Sequence, residues 1–381
     1  GAVGPYTTIY QLAQQRNLEI QAARAKFAIR QAELRIAAQR PNPLLSAETA
    51  KDTPHFSTLL EVPVELGGKR ARRIDLAEAE LKLIDAELAD AFRKLRRDLR
   101  KAFYANMLAN QRIALAEAEV EIARRVVNTA EERYKAGAVA FLETLQAGLG
   151  LSRARTAFAF EQKQKISTEV DLRAVLNLGA EEPVHVTGTL SEFAPDFRPD
   201  SYLQAVLRQN PELQLLDLQL EVENQRLRLL KAESAPDLNL IAGLDTWTPD
   251  FRVGPRAGFM IELPLHKKRA GQIEQTRALQ EQIKLAHLAA RRRIEGQVQS
   301  AAARLDAQQT RMRIFQTEIV PAALELERLA EEAYREGKNS ILTVLEAQKS
   351  LRDVRAEALQ AEFDFQISVA DLEDVGGVPL P

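Results

Sequence analysis

Four histidines, His55, His185, His266 and His287, are the side chains best suited to bind a metal or move a proton near neutral pH. They are scattered, with no His-Glu-x-x-His and no other spacing that would bring two of them to one ion. The run Gly67-Gly68-Lys69-Arg70 lacks the preceding loop and the following Ser or Thr of a phosphate cradle. The acidic pairs Glu131-Glu132 and Glu331-Glu332 fall in helical sequence, where carboxylates usually form a solvated face rather than an acid/base couple. With no cysteine and 3 methionines there is no thiolate or thioether ladder for a soft metal. These observations predict a protein that is not an enzyme and holds no cofactor and no metal site. A net charge of −2, with Lys and Arg interleaved among Asp and Glu, gives no basic patch and so no nucleic-acid partner.

What remains is shape. A composition 45% hydrophobic, 28% charged and only 6% aromatic suits long Ala/Leu/Glu/Arg helices rather than a compact aromatic core. Two stretches repeat: YKAGAVAFLETLQA at 134–147 and YREGKNSILTVLEA at 334–347, with Tyr, Gly, Leu, Leu and Ala at matching positions. Each reads as the tip of a helical hairpin, in which a helix ends at the Tyr, Gly makes the turn, and Leu-x-x-Leu-x-Ala starts the returning helix. Arg16-Asn17-Leu18-Glu19-Ile20 matches Gln209-Asn210-Pro211-Glu212-Leu213, Pro43 matches Pro236, and Glu61-Val62-Pro63-Val64 matches Glu262-Leu263-Pro264-Leu265. The chain is expected to be two copies of one unit.

The first copy, 1–190, reads as a helix over about Thr7 to Gln39, a β-hairpin at 44–64, a long helix at 69–134, a tip at 135–140 and a helix at 141–177. The second, 191–381, reads as a helix at 200–233, a β-hairpin at 237–265, a long helix at 271–334, a tip at 335–340 and a helix at 341–373. In the first long helix Leu81, Ile84, Leu88, Phe92, Leu95, Leu99 and Phe103 recur at steps of three and four, the seam of an antiparallel coiled coil. About 65 residues at 1.5 Å each span roughly 100 Å. Residues 179–200, rich in Gly, Pro and acids, read as an equatorial connector, and the tail after Asp374 as frayed or wrapped along the surface. No segment approaches the ~20 apolar residues of a membrane helix, and Gly1-Ala2-Val3-Gly4 has no signal-peptide character, so any targeting segment is expected to have been removed.

The strands alternate with period two. Val253, Pro255, Ala257, Phe259, Ile261, Leu263 and Leu265 share one face, and Arg252, Gly254, Arg256, Gly258, Met260 and Glu262 the other. Leu238, Leu240, Ala242 and Leu244 oppose Asn239, Gly243 and Asp245, with a turn around Pro249-Asp250. Phe56, Leu60, Val62 and Val64 oppose Ser57 and Glu61, and Leu59 breaks the rule. One apolar and one polar face on strands near ten residues suit a membrane barrel, or a water-exposed sheet packed on helices. Four strands close no barrel alone, because the smallest membrane barrels use about eight and open edges are not tolerated in lipid. The sheet must stay in water, as part of a soluble elongated coiled-coil scaffold that docks partner proteins, or be completed by other copies of the chain.

The repeat, the proline strand entries, the Glu-x-Pro strand exits and the two Tyr-x-x-Gly tips together resemble the TolC family of outer-membrane efflux ducts. The run Pro63-Val64-Glu65-Leu66-Gly67-Gly68-Lys69-Arg70 is similar to the CzcC-like heavy-metal branch. The resemblance implies a mainly α fold with a small β part. Long coiled-coil helical hairpins would form an α-barrel across the periplasm, joined to an outer-membrane β-barrel to which each chain of a homotrimer contributes four strands. It implies an exit duct of a tripartite efflux system, with a periplasmic adaptor (membrane fusion) protein, an inner-membrane pump and outer-membrane lipid as partners; the CzcC-like run points to divalent heavy metals as cargo, with a drug or other solute left open. It also implies a gate: Tyr334 matches the family's gate tyrosine, Glu143 stands where an aspartate is expected, and Glu346 matches the second of two acidic ring positions. Two positions depart. Asn339 stands where some members have a locking arginine, and Thr343 replaces the first acidic position. Glu143 and Glu346 equally suit first-turn acids that complement a helix dipole. Gly137, Ala138 and Val139 in one tip and Gly337, Lys338 and Asn339 in the other are the candidate adaptor-docking surface.

Overall fold

The computed structural model describes residues 2–52, 54–190, 198–247, 252–261 and 269–380. The chain divides into two compact units, one of Gly1–Gln21, Asp90–Asn210 and Arg293–Pro381, the other of Ala22–Ala89 and Pro211–Arg292.

The elements run β1 (Ala2–Gly4), α1 (Tyr6–Arg16), α2 (Leu18–Ala37), β2 (Leu44–Thr49), β3 (Phe56–Val64), α3 (Lys69–Lys135), α4 (Phe141–Leu176) and β4 (Val184–Val186). There follow α5 (Pro199–Gln209), α6 (Pro211–Glu233), β5 (Leu238–Trp247), β6 (Arg252–Ile261), α7 (Ala270–Ile314), a π turn (Phe315–Ile319), α8 (Val320–Arg335) and α9 (Ile341–Gly376). The fold is mainly helical with a small sheet, and α3 alone runs 67 residues.

Three helices expected to be continuous are interrupted, each for a local reason. At Asn17 the backbone turns extended (φ −64°, ψ 123°), and the Asn17 Oδ1 accepts the N–H groups of Glu19 and Ile20 at 3.0 and 3.1 Å, capping α2. The helix expected over 200–233 breaks at Asn210, because Pro211 has no N–H to give and opens a new helix at its first position. The helix expected over 271–334 widens before Pro321, whose ring would strike the carbonyl four residues back. Val320 N–H reaches back five residues to the Phe315 carbonyl, which makes room.

In the unit holding the termini, Tyr6, Phe103 and Tyr104 pack at centroid distances of 5.3 to 6.4 Å, Phe103 edge-on to both tyrosines, with the Arg100 guanidinium 5.3 Å over the Tyr6 ring. Arg100 in turn meets Glu373 of α9 in a buried ion pair at 2.6 Å. The C-terminal tail is held rather than frayed. The Tyr202 hydroxyl donates to the Leu372 and Val378 carbonyls at 3.2 and 2.8 Å, and the Asn210 amide to those of Val375 and Gly376 at 3.2 and 2.9 Å. In the connector, β4 pairs in parallel with β1, a strand that the sequence reading did not anticipate. Connector residues 191–197 lie outside the described residues.

The other unit contains the four-stranded sheet, in the order β2-β3-β5-β6, every pair antiparallel. Its register sets Leu60 beside Ala242 and Ala242 beside Ala257, and likewise Val62, Leu240 and Phe259 in one row. Cross-strand partners share a face, so all the apolar alternations coincide. Ser57, Asp245 and Arg256 lie on the opposite face, where the Ser57 hydroxyl donates to the Asp245 carboxylate at 2.9 Å and Arg256 stands 3.9 Å from it. Leu59, the exception on that polar face, sits against Gly243. A Cβ at 243 would lie 2.3 Å from the Thr58 carbonyl oxygen and 2.7 Å from Leu59 Cδ2, so only glycine fits there. The turn around Pro249-Asp250 and the strand exit Glu262-Leu263-Pro264-Leu265 lie outside the described residues. The start of α3 anchors the strand entry: Arg70 donates to the Ala38 carbonyl at 2.8 Å, and Arg73 pairs with Glu65 and donates to the Gln39 carbonyl at 3.2 Å.

Candidate functional site: the helical tips and the sheet face

Each tip ends its incoming helix by the same backbone device. Gly137 N–H donates to the Tyr134 carbonyl at 2.9 Å and Ala138 N–H to that of Arg133 at 2.9 Å. At the second tip Gly337 N–H donates to Tyr334 at 3.0 Å and Lys338 N–H to Ala333 at 2.8 Å. These are paired Schellman bonds, and they place Gly137 and Gly337 at φ 71° and 74°, where a Cβ is strained. Ala138, Lys338 and Asn339 are exposed and Val139 is half-buried, so each tip presents a short, mostly bare turn. Lys338 pairs with Glu336 at 2.5 Å.

The two tips are joined through side chains that only one of them carries. Tyr334 is 5% exposed, in a cluster with Val126, Ala130, Ala147, Ile341 and Val344. Its hydroxyl donates to Glu143 Oε2 at 3.3 Å across from the start of α4. Arg133, on the last turn of α3, lays its guanidinium 4.3 Å over the Tyr334 ring and donates to the Tyr334 carbonyl at 3.2 Å. A partly desolvated cation–π contact of this kind contributes on the order of 1–2 kcal/mol. Burial raises the Tyr334 pKa, so the phenol stays protonated and keeps donating to Glu143.

Tyr134 has no such surroundings. It is 45% exposed and rests on Phe141 at 5.6 Å between centroids. The repeat explains the difference, because Ala333 and Thr343 occupy the second-tip positions that correspond to Arg133 and Glu143. Arg133 escaped the sequence reading, and the place where the copies differ, Arg133 against Ala333, is the signal that would have found it. Asn339, Thr343 and Glu346 are exposed, and among the described residues no hydrogen bond or ion pair joins them to Tyr334 or Glu143. The structure therefore brings together Glu143 and Tyr334 and leaves the other three candidates apart from them.

The sheet is the second notable surface. Among the described residues no helix is long and apolar enough to cross a membrane. The apolar face of the sheet is bare: Leu45, Phe56, Leu240, Leu244, Val253 and Phe259 are all exposed, Phe259 at 71%. The sheet is not closed, and β2 and β6 are its edges. Among the described residues no group of three or more His, Cys, Asp or Glu could hold a metal ion.

Long helical hairpins with a one-sided greasy sheet and Schellman-capped tips define a class, and the comparisons give it a family. The chain matches the model of the outer membrane efflux protein family over residues 9–178 and 202–378, and belongs to that family. It is an efflux protein of the outer membrane. It is 24% identical over 363 residues to the cobalt-zinc-cadmium resistance protein CzcC of Cupriavidus metallidurans, covering 94% of this chain and 87% of that protein. Among solved structures it is similar to CusC, with TM-score 0.78 at 17% identity over 98% of this chain and 92% of that one. It is likewise similar to the outer membrane protein VceC of Vibrio cholerae, with TM-score 0.76 at 17% identity over 99% and 97%.

Proposed function

We propose that this chain is the exit duct of a tripartite efflux assembly. It works as a homotrimer in which each subunit gives four strands to one outer-membrane β-barrel and two helical hairpins to one periplasmic tunnel. The observation that carries this reading is the open sheet with a bare apolar face and a polar face bearing Asp245, Ser57 and Arg256. Three of the four strands, β3, β5 and β6, have nine or ten residues, rise about 30 Å and, once tilted, match the ~25 Å apolar band of a membrane barrel, while β2 has six. Three copies supply about twelve strands and leave no edge. A soluble scaffold would leave that face in water, since among the described residues no helix covers it.

The tips are then the docking surface for a periplasmic adaptor that connects to an inner-membrane pump, with Gly137 and Gly337 shaping the contact. The tie between Glu143, Tyr334 and Arg133 holds the two hairpins of one subunit together near the tunnel's end. Cargo is divalent heavy metal, a reading supported by the similarity to a cobalt-zinc-cadmium resistance protein. The subunit conducts rather than chelates its ions. A strain lacking the gene should lose growth on cobalt, zinc or cadmium and regain it when the wild-type chain is restored. Sensitivity to organic drugs alone would overturn the metal assignment while leaving the duct.

A further inference from the structure

Between α4 and α9, some two to three turns in from the tips, lies a cavity of about 370 Å³ that also touches α3 and α8. Apart from Glu346, one of the gate candidates, the duct reading uses none of its lining. Its walls are largely apolar, with Ile122 of α3, Leu149 of α4 and Leu345 and Leu351 of α9. Part of the space exists because residue 150 is glycine. A Cβ there would meet only Leu345 Cδ2, at 3.7 Å, and the backbone is ordinary helix, so nothing in the turn demands glycine. Glycine is the least favourable residue but proline for a helix interior, and here it leaves room that no side chain fills.

Cations converge on this apolar space. Arg153 of α4 and Lys349, Arg352 and Arg355 of α9 line it. Arg352 pairs with its neighbour Asp353 at 3.2 Å, whereas Arg153, Lys349 and Arg355 form no ion pair within 4 Å among the described residues. Opposing them are Glu119 of α3, Glu327 of α8 and Glu346 of α9. Glu119 Oε1 is buried without a hydrogen-bond partner, and burial pushes its pKa up to about 7 despite Arg352 and Arg355. Glu327 is also raised, by burial and by Glu331. Near neutral pH the carboxylates therefore bring less negative charge than their number suggests, and the cationic groups prevail.

We propose that this cavity binds a small amphipathic organic anion, a carboxylate or sulfonate carried on an aromatic or short aliphatic body. The acid group would meet Arg153 and Arg355, and the body would fill the space beside Gly150. A volume of this size lies at the lower end of the range for small-molecule pockets, which are mostly apolar with a few converging polar groups.

The test is calorimetric titration of the detergent-extracted protein with 2-naphthalenesulfonate, with uncharged 2-naphthol as the control. The expected result is saturable binding of one molecule per chain, and at least tenfold weaker binding of 2-naphthol. R355Q should weaken binding on the order of tenfold, as loss of one charge-assisted contact does. G150L, which fills the space without backbone strain, should abolish it. Raising the pH from 6 to 8 should weaken binding several-fold as Glu119 ionises, and E119Q should flatten that dependence. The groups facing Glu119 are Arg352, Asp353 and Arg355 from α9, Arg153 from α4 and Glu327 from α8. If G150L does not fold, R153Q and R355Q carry the test from the rim. Absence of saturable binding to the wild type, or binding by R355Q and R153Q as tight as the wild type's, would overturn the proposal. Because the readout is binding, its failure would leave the duct reading untouched.

Discussion

A single tyrosine separates the two tips. Tyr334 is capped by Gly337, covered by Arg133 and bonded to Glu143, while Tyr134 lies in the open. If that tie holds the hairpins of a closed duct, Y334F should raise single-channel conductance, because it removes the bond to Glu143 and keeps the ring under Arg133. R133A should raise it further, since it removes both the cation over the ring and the donor to the Tyr334 carbonyl. Each loss amounts to about 1–2 kcal/mol. Bilayer recordings in which both variants conduct like the wild type would reduce the tie to packing. Glu119 offers a separate reading through pH. Its pKa is raised by burial to about 7 from 4.5, so its contribution to stability is fully present below about pH 4.5 and lost as pH rises through 7. E119Q should therefore melt higher than the wild type at pH 8, by about 1 kcal/mol after solvent screening, and equally at pH 4.5. Thermal unfolding at the two pH values decides it.

At the scale of elements, the helices depend on single capping residues more than on periodicity. N17A should cost about 1 kcal/mol, because α2 would lose the acceptor for the Glu19 and Ile20 N–H groups. Circular dichroism during thermal unfolding would register this as a lower midpoint, and an unchanged midpoint would show that the cap contributes little. The apolar spacing that reveals helices in sequence passes through Asn17 without a gap, which is why the break escaped that reading. Asn followed by Glu two residues later, present at Asn17 and again at Asn210, was the local signal. Pro321 was likewise visible as a residue, but not the π turn that accommodates it. Strand faces were easier to read, since a period of two leaves no choice of side: Val253, Ala257 and Phe259 could only point together. The anomaly of Leu59 needed the register, because the glycine that makes room for it is 184 residues away in sequence, at 243. In the candidate site, Glu143 and Tyr334 were found through the resemblance to a family. Arg133 was missed because it lies outside the repeated motif and acts across to the other tip.

For the molecule as a whole, the sheet poses a problem that one chain cannot solve. Its apolar face is exposed, and among the described residues the outer edges of β2 and β6 pair with no strand. Each backbone group left unpaired in hydrocarbon costs several kcal/mol, so the edges must meet partners before the sheet can sit in a membrane. Further copies of the same chain would provide those partners with one repeated contact. The most direct measurement is therefore the particle mass of the purified protein in detergent, corrected for bound detergent, together with its conductance in a planar bilayer. The expected result is three chains per particle, loss of solubility when detergent is withdrawn, and ion conduction. A monodisperse single chain that stays soluble without detergent and carries no current would contradict it.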